Sequence, residues 1–528
     1  MAQYTSEKFK RQKTELINEI MNSDLHGKRI YLLGSAEFGP TNEPILVKST
    51  VGLHNKFGKR GTLIDAFHAL KYTNKNNKVY LVKTTGDHAT AYLNVNIYGG
   101  EIIQDGFTVT ACESNEVYND VEIMIESKGI TFIFPDRMKL GSITYLYKDY
   151  VNIGKLADAI NRDTNNKRNK LYVYHSVDPS VPTKHAFSVC NPTIVYLYGG
   201  QSGLNYTKNM LYNRLSRTYE MLESEDIDII IPVDAFLDDI YPSDNESDRY
   251  GIRYYQHTRD YLTPNTSGKV LSYMNQLINF CTRQIRFGVV TLGIMGFNSV
   301  HKIASEYLYE SDRFHEMYKA CFEYNLSKCD NPSYAFMVSC VAGDIKYNNG
   351  TIIDNGYLAY AALCAKTIVT SGTTNIPISN SIKLYEEFSE EVLNDLAETG
   401  IVTFRQSPLY NTPVVYNGVT AVSSNSKNMK LFVNVRMIQI CISYINKLLQ
   451  FYIGHNINDI VRRDVMFQDL KTILQVLYSR GIISKYEFKI LPNYSNGEVK
   501  LYLTLMTCYM VQAVVLRAAF NVQSSEED

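Results

Sequence analysis

Apolar runs at period two alternate along this chain with stretches whose apolar residues recur three and four positions apart. That order predicts a layered α/β fold. The first strand is Arg29–Gly34. An extended run at Glu43–Val47, a helical pattern over Val51–Gly58, a helix over Leu63–Leu70 and a strand at Lys78–Lys83 follow. Residues 96–191 change character: Phe107–Ala111, Val121–Ile125 and Thr131–Phe134 alternate like half-buried strands, with one helix near Ile153–Ile160 and a polar turn over Asn161–Lys170. The α/β pattern returns with strands at Thr193–Gly200, Ile227–Val233, Phe287–Leu292 and Tyr334–Cys340. Between and after them come helical patterns through Met210–Leu222, Val270–Arg286, Tyr307–Tyr324 and Gly356–Thr367. The expected class is a mostly parallel layered sheet core carrying an inserted small β-rich domain, with a C-terminal α+β assembly domain and extended terminal arms.

The stretch Ile401–Val522 is read as that assembly domain. One helix sets Phe432, Val435, Ile438, Ile442, Ile445, Leu449 and Tyr452 on one stripe, and a second does so with Val461, Val465, Leu470, Ile473, Leu474 and Leu477. Arg436 lies near the first stripe, and Arg462 and Arg463 open the second helix. All three are candidates for charge pairing with a neighbouring subunit. A strand then alternates Val499, Leu501, Leu503 and Leu505 against Lys500, Tyr502 and Thr504. A strand at a chain end needs cover, either from its own domain or by adding to a neighbour's sheet. Residues 1–27, polar with apolar punctuation, read as a short amphipathic helix or docked arm. The expected division is 1–27 as the N-terminal arm, 28–95 as the first part of the α/β core, 96–191 as the insertion, 192–400 as the main α/β domain, and 401–528 as the assembly domain ending in a strand arm.

Composition narrows the function classes. Of 528 residues, 45% are hydrophobic and 20% charged, which marks a globular chain, and the net charge of −1 argues against coating nucleic acid. The 41 tyrosines favour contacts that are both buried and wet, as at protein interfaces. Nine scattered cysteines without a C-x-x-C pair read as reduced thiols, with Cys340 and Cys364 in packing roles. The apolar window Leu501–Phe520 holds Gln512 and Arg517 and starts with alternating polarity, so a buried strand pair is preferred to a membrane span.

Catalytic patterns are sparse. Gly34 follows a strand, but neither G-x-G-x-x-G nor G-K-[ST] accompanies it. The histidines show no zinc spacing and no nucleophile elbow exists. The densest carboxylate group is Asp226, Asp228, Asp234, Asp238 and Asp239. At the end of a strand such a group suits a hard cation, so a metal-dependent α/β hydrolase using the acidic loop near Asp234 is the alternative reading.

Several stretches, in order, resemble the tail sheath proteins of contractile phage tails and related injection machines. Tyr31–Val47 is similar to that family's opening strand, G-x-A-x-x-G-P turn and extended segment. Tyr198–Gly203, a helix and then Glu225–Pro232 resemble its glycine-rich turn and following strand. Val415–Ser423 resembles V-W-G-A-R-T-L-S, Phe432–Met437 resembles Y-V-N-V-R-R, and His455-Asn456 resembles the asparagine that opens the last helix. Departures are Tyr416 for Trp, Val419 for Ala, Ala421 directly after Thr420, and Met437 for the second Arg. The likeness covers roughly residues 28–520.

The resemblance implies a structural subunit and no enzyme, cofactor, direct nucleic-acid contact or membrane contact. It implies homo-oligomeric rings, commonly of six, stacked helically around a tail tube protein, with baseplate and tail terminator proteins as further partners. Terminal arms add strands to neighbours, and the sheath contracts to drive the tube through the host envelope. The expected location is the virion tail, after assembly in the host cytoplasm. A tube or baseplate component is a third reading.

Overall fold

In the computed structural model the described residues are 11–12, 14–19, 29–84, 89–204, 206, 208–238, 272–297, 314–347, 353–385, 387–422, 427–454, 464–495 and 498–508. In chain order, the core opens with β1 (Arg29–Gly34), β2 (Ile45–Val47), α1 (Thr50–Phe57), α2 (Thr62–Thr73) and β3 (Lys78–Lys83). The insertion holds β4 (Tyr92–Tyr98), β5 (Ile102–Ala111), β6 (Glu122–Ile125), β7 (Gly129–Ile133), β8 (Ser142–Leu146), α3 (Ile153–Asn165), β9 (Leu171–His175) and β10 (Thr193–Tyr196). The core resumes with α4 (Lys208–Met221), β11 (Ile229–Pro232), α5 (Tyr273–Gln284), β12 (Leu292–Gly296), α6 (Phe314–Ser327), β13 (Val338–Val341), β14 (Asp344–Tyr347), β15 (Ile353–Asn355), α7 (Gly356–Lys366), β16 (Ser381–Leu384), α8 (Glu390–Thr399) and β17 (Ile401–Val402). After β18 (Phe404–Ser407) and β19 (Thr412–Val415) come α9 (Phe432–Gln450), α10 (Val465–Ser479), β20 (Ile483–Asn493) and β21 (Glu498–Thr507).

Among the described residues the main sheet has seven strands in the order β17–β13–β12–β11–β1–β3–β2, all parallel except β2. Consecutive residues of one strand face opposite layers. Ile30, Leu32, Ile229, Ile231 and Ile294 pack with α1, α2 and α7, whereas Tyr31, Leu33, Ile230, Met295 and Cys340 pack with α4, α5, α6 and α8. The sheet is therefore covered on both faces. Helix α7 is apolar on every side, and all its residues from Gly356 to Ala365 are buried. Local signals set several boundaries. Ser272 and Ser389 accept hydrogen bonds from the N–H groups of Asn275 and Val392, capping α5 and α8. Gly400 then ends α8 in the left-handed region at φ +114° and turns the chain directly into β17.

Three strands lie elsewhere than the sequence suggests. The expected strand Tyr334–Cys340 is a 3-10 helix through Met337, and β13 begins only at Val338. The expected strand Phe287–Leu292 is a helix end and a turn, and β12 begins only at Leu292. Gly293 and Gly296 make the true strand look like a loop, yet both are dictated by packing. A Cβ on Gly293 would stand 2.6 Å from Cδ2 of Leu277, and one on Gly296 would collide with the buried Tyr357 ring. The run at Thr193–Gly200 does not return to the main sheet. β10 pairs antiparallel with β6 inside the insertion, leaving Ile194 and Tyr196 exposed. Five consecutive apolar residues there imitate a buried parallel strand.

The insertion consists of a four-stranded sheet, β10–β6–β7–β8, and a three-stranded sheet, β4–β5–β9. They share a core that runs from Ala91 to Leu197 and is completed by Leu156 and Ile160 of α3.

Candidate assembly surface

The C-terminal module is built on α9. Its Val433, Met437, Cys441, Ile445 and Leu448 pack against Leu470, Ile473, Leu474 and Leu477 of α10. Burial pushes the Cys441 thiol up to about 12. Gly481, at φ +68°, ends α10 and leads into β20. β20 and β21 form a long antiparallel hairpin in which Tyr486 faces Leu505, Phe488 faces Leu503, and Ile490 faces Leu501. These side chains and Val499 are partly buried against the helices, and the Phe467 and Phe488 rings meet at 4.9 Å. The opposite face carries Lys485, Glu487, Lys489, Lys500 and Tyr502. Lys485 and Glu487 form an exposed ion pair at 2.7 Å, whose hydrogen bond holds the Glu487 carboxyl below its ordinary range. Two strands alone are marginal in water, so the helices are what hold this hairpin.

Among the described residues β20 and β21 pair only with each other, leaving an open edge on each side. An eleven-residue strand is roughly 35 Å long, so each edge offers a long row of backbone donors and acceptors. The N-terminal helical residues 14–19 also reach this module: Leu16 is buried in its core and Glu19 meets Lys447 at 3.2 Å.

Helix α9 is also pinned to the α/β body by side chains that reach main-chain carbonyls. Gln439 Nε2 donates to Asp228 O at 2.8 Å and Val290 O at 2.7 Å. Asn446 Nδ2 donates to Phe287 O at 3.3 Å, and Arg436 Nη2 to Thr367 O at 2.9 Å. The period-two pattern of β20 is readable in Tyr486, Phe488 and Ile490, whereas no sequence signal marks Gln439 as a joint.

The candidate residues divide. Val499, Leu501, Leu503 and Leu505 lie on the inner face of the hairpin and serve its attachment to α9 and α10, so the contacts left to a neighbour are those of the backbone edges and the polar outer face. Arg436, expected on a subunit surface, is 1% exposed within its own chain and cannot pair across a boundary. Its stripe faces the α/β body rather than solvent. Arg462 and Arg463 lie outside the described residues.

The acidic group is dispersed. Asp226 and Asp228 precede β11 and bind Arg29, whose Nη2 donates to Asp226 at 2.7 Å and to Asp228 at 3.0 Å. Asp234 and Asp238 follow the strand, roughly 20 Å away by strand rise, and are each 3% exposed; Asp239 lies outside the described residues. No group of three or more metal-ligating side chains occurs among the described residues. At the switch point between β1 and β11, where doubly wound sheets bind ligands, two glycines pack closely against side chains. A Cβ on Gly34 would lie 2.8 Å from Thr62 Oγ1, and one on Gly203 would lie 2.8 Å from Nζ of the fully buried Lys83. These glycines serve close packing.

The described residues form a doubly wound α/β body bearing a β insertion and a helix-supported hairpin. That architecture is the fold of the sheath tail proteins. The chain superposes on the sheath tail protein Lin1278 from Listeria innocua with a TM-score of 0.51 at 12% identity, covering 94% of this chain and 99% of that one. It superposes on the sheath tail protein DSY3957 from Desulfitobacterium hafniense with a TM-score of 0.50 at 11% identity, covering 92% and 97%. No protein-family model matches the sequence, and no curated protein matches it.

Proposed function

We propose that this chain is the structural subunit of a contractile tail sheath. It polymerises as helically stacked rings of six around a tail tube and shortens to drive that tube through a host envelope, delivering a genome from a virion tail. Assembly takes place in the host cytoplasm with baseplate and tail terminator proteins as partners. The observation that carries the reading is the correspondence with sheath tail protein folds over 94% and 92% of this chain. The open hairpin supports the mode of connection: its edges accept strands from terminal arms of neighbouring subunits, so rings stay linked while subunits rotate. A heterologous contact that does not close on itself generates an extended array. Two discrete packings of the same subunits then supply the motion, with no bound fuel.

The purified chain is expected to form long hollow cylinders visible by negative-stain electron microscopy. A stable monomer at high concentration, with or without isolated tube protein, contradicts the proposal.

A further inference from the structure

The insertion has an exposed sheet face built differently from that of the hairpin. In the sheet β4–β5–β9, Leu93, Val109 and Val173 lie side by side and are buried in the core of the insertion. Their neighbours along each strand therefore face outwards. One outer row is Tyr92 on β4, Thr110 on β5 and Tyr172 on β9, and the next is Asn94, Thr108 and Tyr174. Tyr198 extends the first row beyond β4, since it pairs with Tyr92 and the two rings meet at 4.5 Å. Tyr174 is 60% exposed and Tyr198 48%.

The two rows have relief. The middle strand contributes two short threonines, and the strands on either side contribute tyrosines and an asparagine. Adjacent strands stand about 4.8 Å apart, so the flanks lie about 10 Å from each other across a threonine floor, a span that admits one flat ring. Thr108 Oγ1 donates to Asn94 Oδ1 at 2.9 Å, which commits the amide oxygen and leaves the two Nδ2 donors for the trough.

No charged residue stands in either row, whereas Lys485, Glu487, Lys489 and Lys500 crowd the outer face of the hairpin. The cations that lead into β9, Arg168 and Lys170, are answered by Asp163 at 3.9 Å and Glu113 at 3.8 Å. A polyanion therefore finds no free row of positive charge here. An apolar protein anchor would cover the threonine hydroxyls and the Asn94 amide without pairing them, which is costly. A neutral ligand with apolar ring faces and a hydroxyl rim matches both halves of the surface. Its C–H faces cover tyrosine rings, and its hydroxyls meet the Thr, Asn and Tyr polar groups.

We propose that the outer face of β4–β5–β9 binds a neutral oligosaccharide, with one sugar ring seated over Thr108 and Thr110 between Tyr92 and the Tyr172–Tyr174 flank. The site lies within the insertion and binds whether or not the chain polymerises.

Saturation-transfer NMR on the full chain tests this, because the signal is read on the ligand and survives polymerisation. The neutral probes are cellohexaose, maltohexaose, mannohexaose and chitohexaose. A heparin hexasaccharide and hexauridylate serve as anionic counterparts. At least one neutral probe is expected to take up saturation, most strongly at its ring C–H protons. Tyr174→Ala and Tyr92→Ala are each expected to lower that signal about fivefold or more. Tyr196→Ala, on the other sheet of the insertion, leaves it unchanged. Tyr174 and Tyr196 are both more than half exposed, so their variants should melt with the wild type. Transfer to no neutral probe, or to the anionic probes alone, overturns the proposal. So does equal transfer in the wild type and a normally melting Tyr174→Ala.

Discussion

Two truncations separate the two tasks of the C-terminal end. Removing residues 498–528 takes away β21 and with it Val499, Leu501, Leu503 and Leu505, each half-buried against α9 and α10. Fully burying such a side chain contributes about 1.5–3 kcal/mol, so half burial of four gives a loss of about 4 kcal/mol in the unit that contains the hairpin. At about 2–4 °C per kcal/mol, that unit should melt roughly 10 °C lower, and β20 should become protease-sensitive. Removing only residues 509–528 leaves every described contact of the hairpin in place, so β20 should keep its wild-type protease resistance. Under the sheath proposal this shorter deletion nevertheless abolishes cylinders, because it removes most of the proposed C-terminal arm. Circular dichroism melts, limited proteolysis and negative-stain counts of cylinders read the three properties. Normal cylinders from the 509–528 deletion refute the arm model. An unchanged melt from the 498–528 deletion refutes the claim that β21 is integral to its own module, and with it the energetic estimate.

Other outcomes test the interior. Gln439→Leu leaves Val290 O without its side-chain donor while Asp228 O keeps the Leu292 N–H, and should cost about 1–3 kcal/mol in denaturant unfolding. Gln439→Glu buries a carboxyl against two carbonyls, which raises its folded pKa above the ordinary value of about 4.3. Its penalty should therefore be small below that pH, where the acid is protonated in both states, and grow towards neutrality; a pH-independent loss contradicts the assignment. Gly296→Ala drives a methyl into the Tyr357 ring and should cost about 1–3 kcal/mol, measured by thermal melts. Gly372→Ala meets open space at an ordinary φ and should be neutral or stabilising by a few tenths of a kcal/mol, so equal effects at the two glycines would undo the packing argument.

Much of the α/β layer could be read directly. β1, β3 and β11 announce themselves because strands buried on both faces are largely apolar, and α10 because it buries one stripe. The single stripe expected of α9 is only part of its buried surface, since Val433, Met437, Cys441 and Leu448 are buried as well while Ile438, Ile442 and Leu449 are only partly so. The same rule misassigned β10, since an apolar edge strand in a small antiparallel sheet has the composition of a central parallel one. It missed β12 as well, because glycines chosen for contact with Leu277 and Tyr357 resemble loop glycines. The candidate surface was half legible. The alternation of Val499 to Leu505 showed a strand with one apolar face, but whether that face meets the same chain or another depends on where α9 and α10 lie.

Local propensity and period determined on their own which segments are strands and helices wherever one residue's burial follows from its neighbours along the chain. Only the tertiary structure decided that Arg436 is enclosed rather than presented. It also decided that Asp226 and Asp228 answer Arg29 at one end of β11 while Asp234 is enclosed at the other, and that the apolar face of the hairpin meets its own chain while its polar face and backbone edges do not. Burial of a charge and openness of an edge are properties of what lies across space, set by contacts between residues hundreds of positions apart, and no local window of sequence contains them.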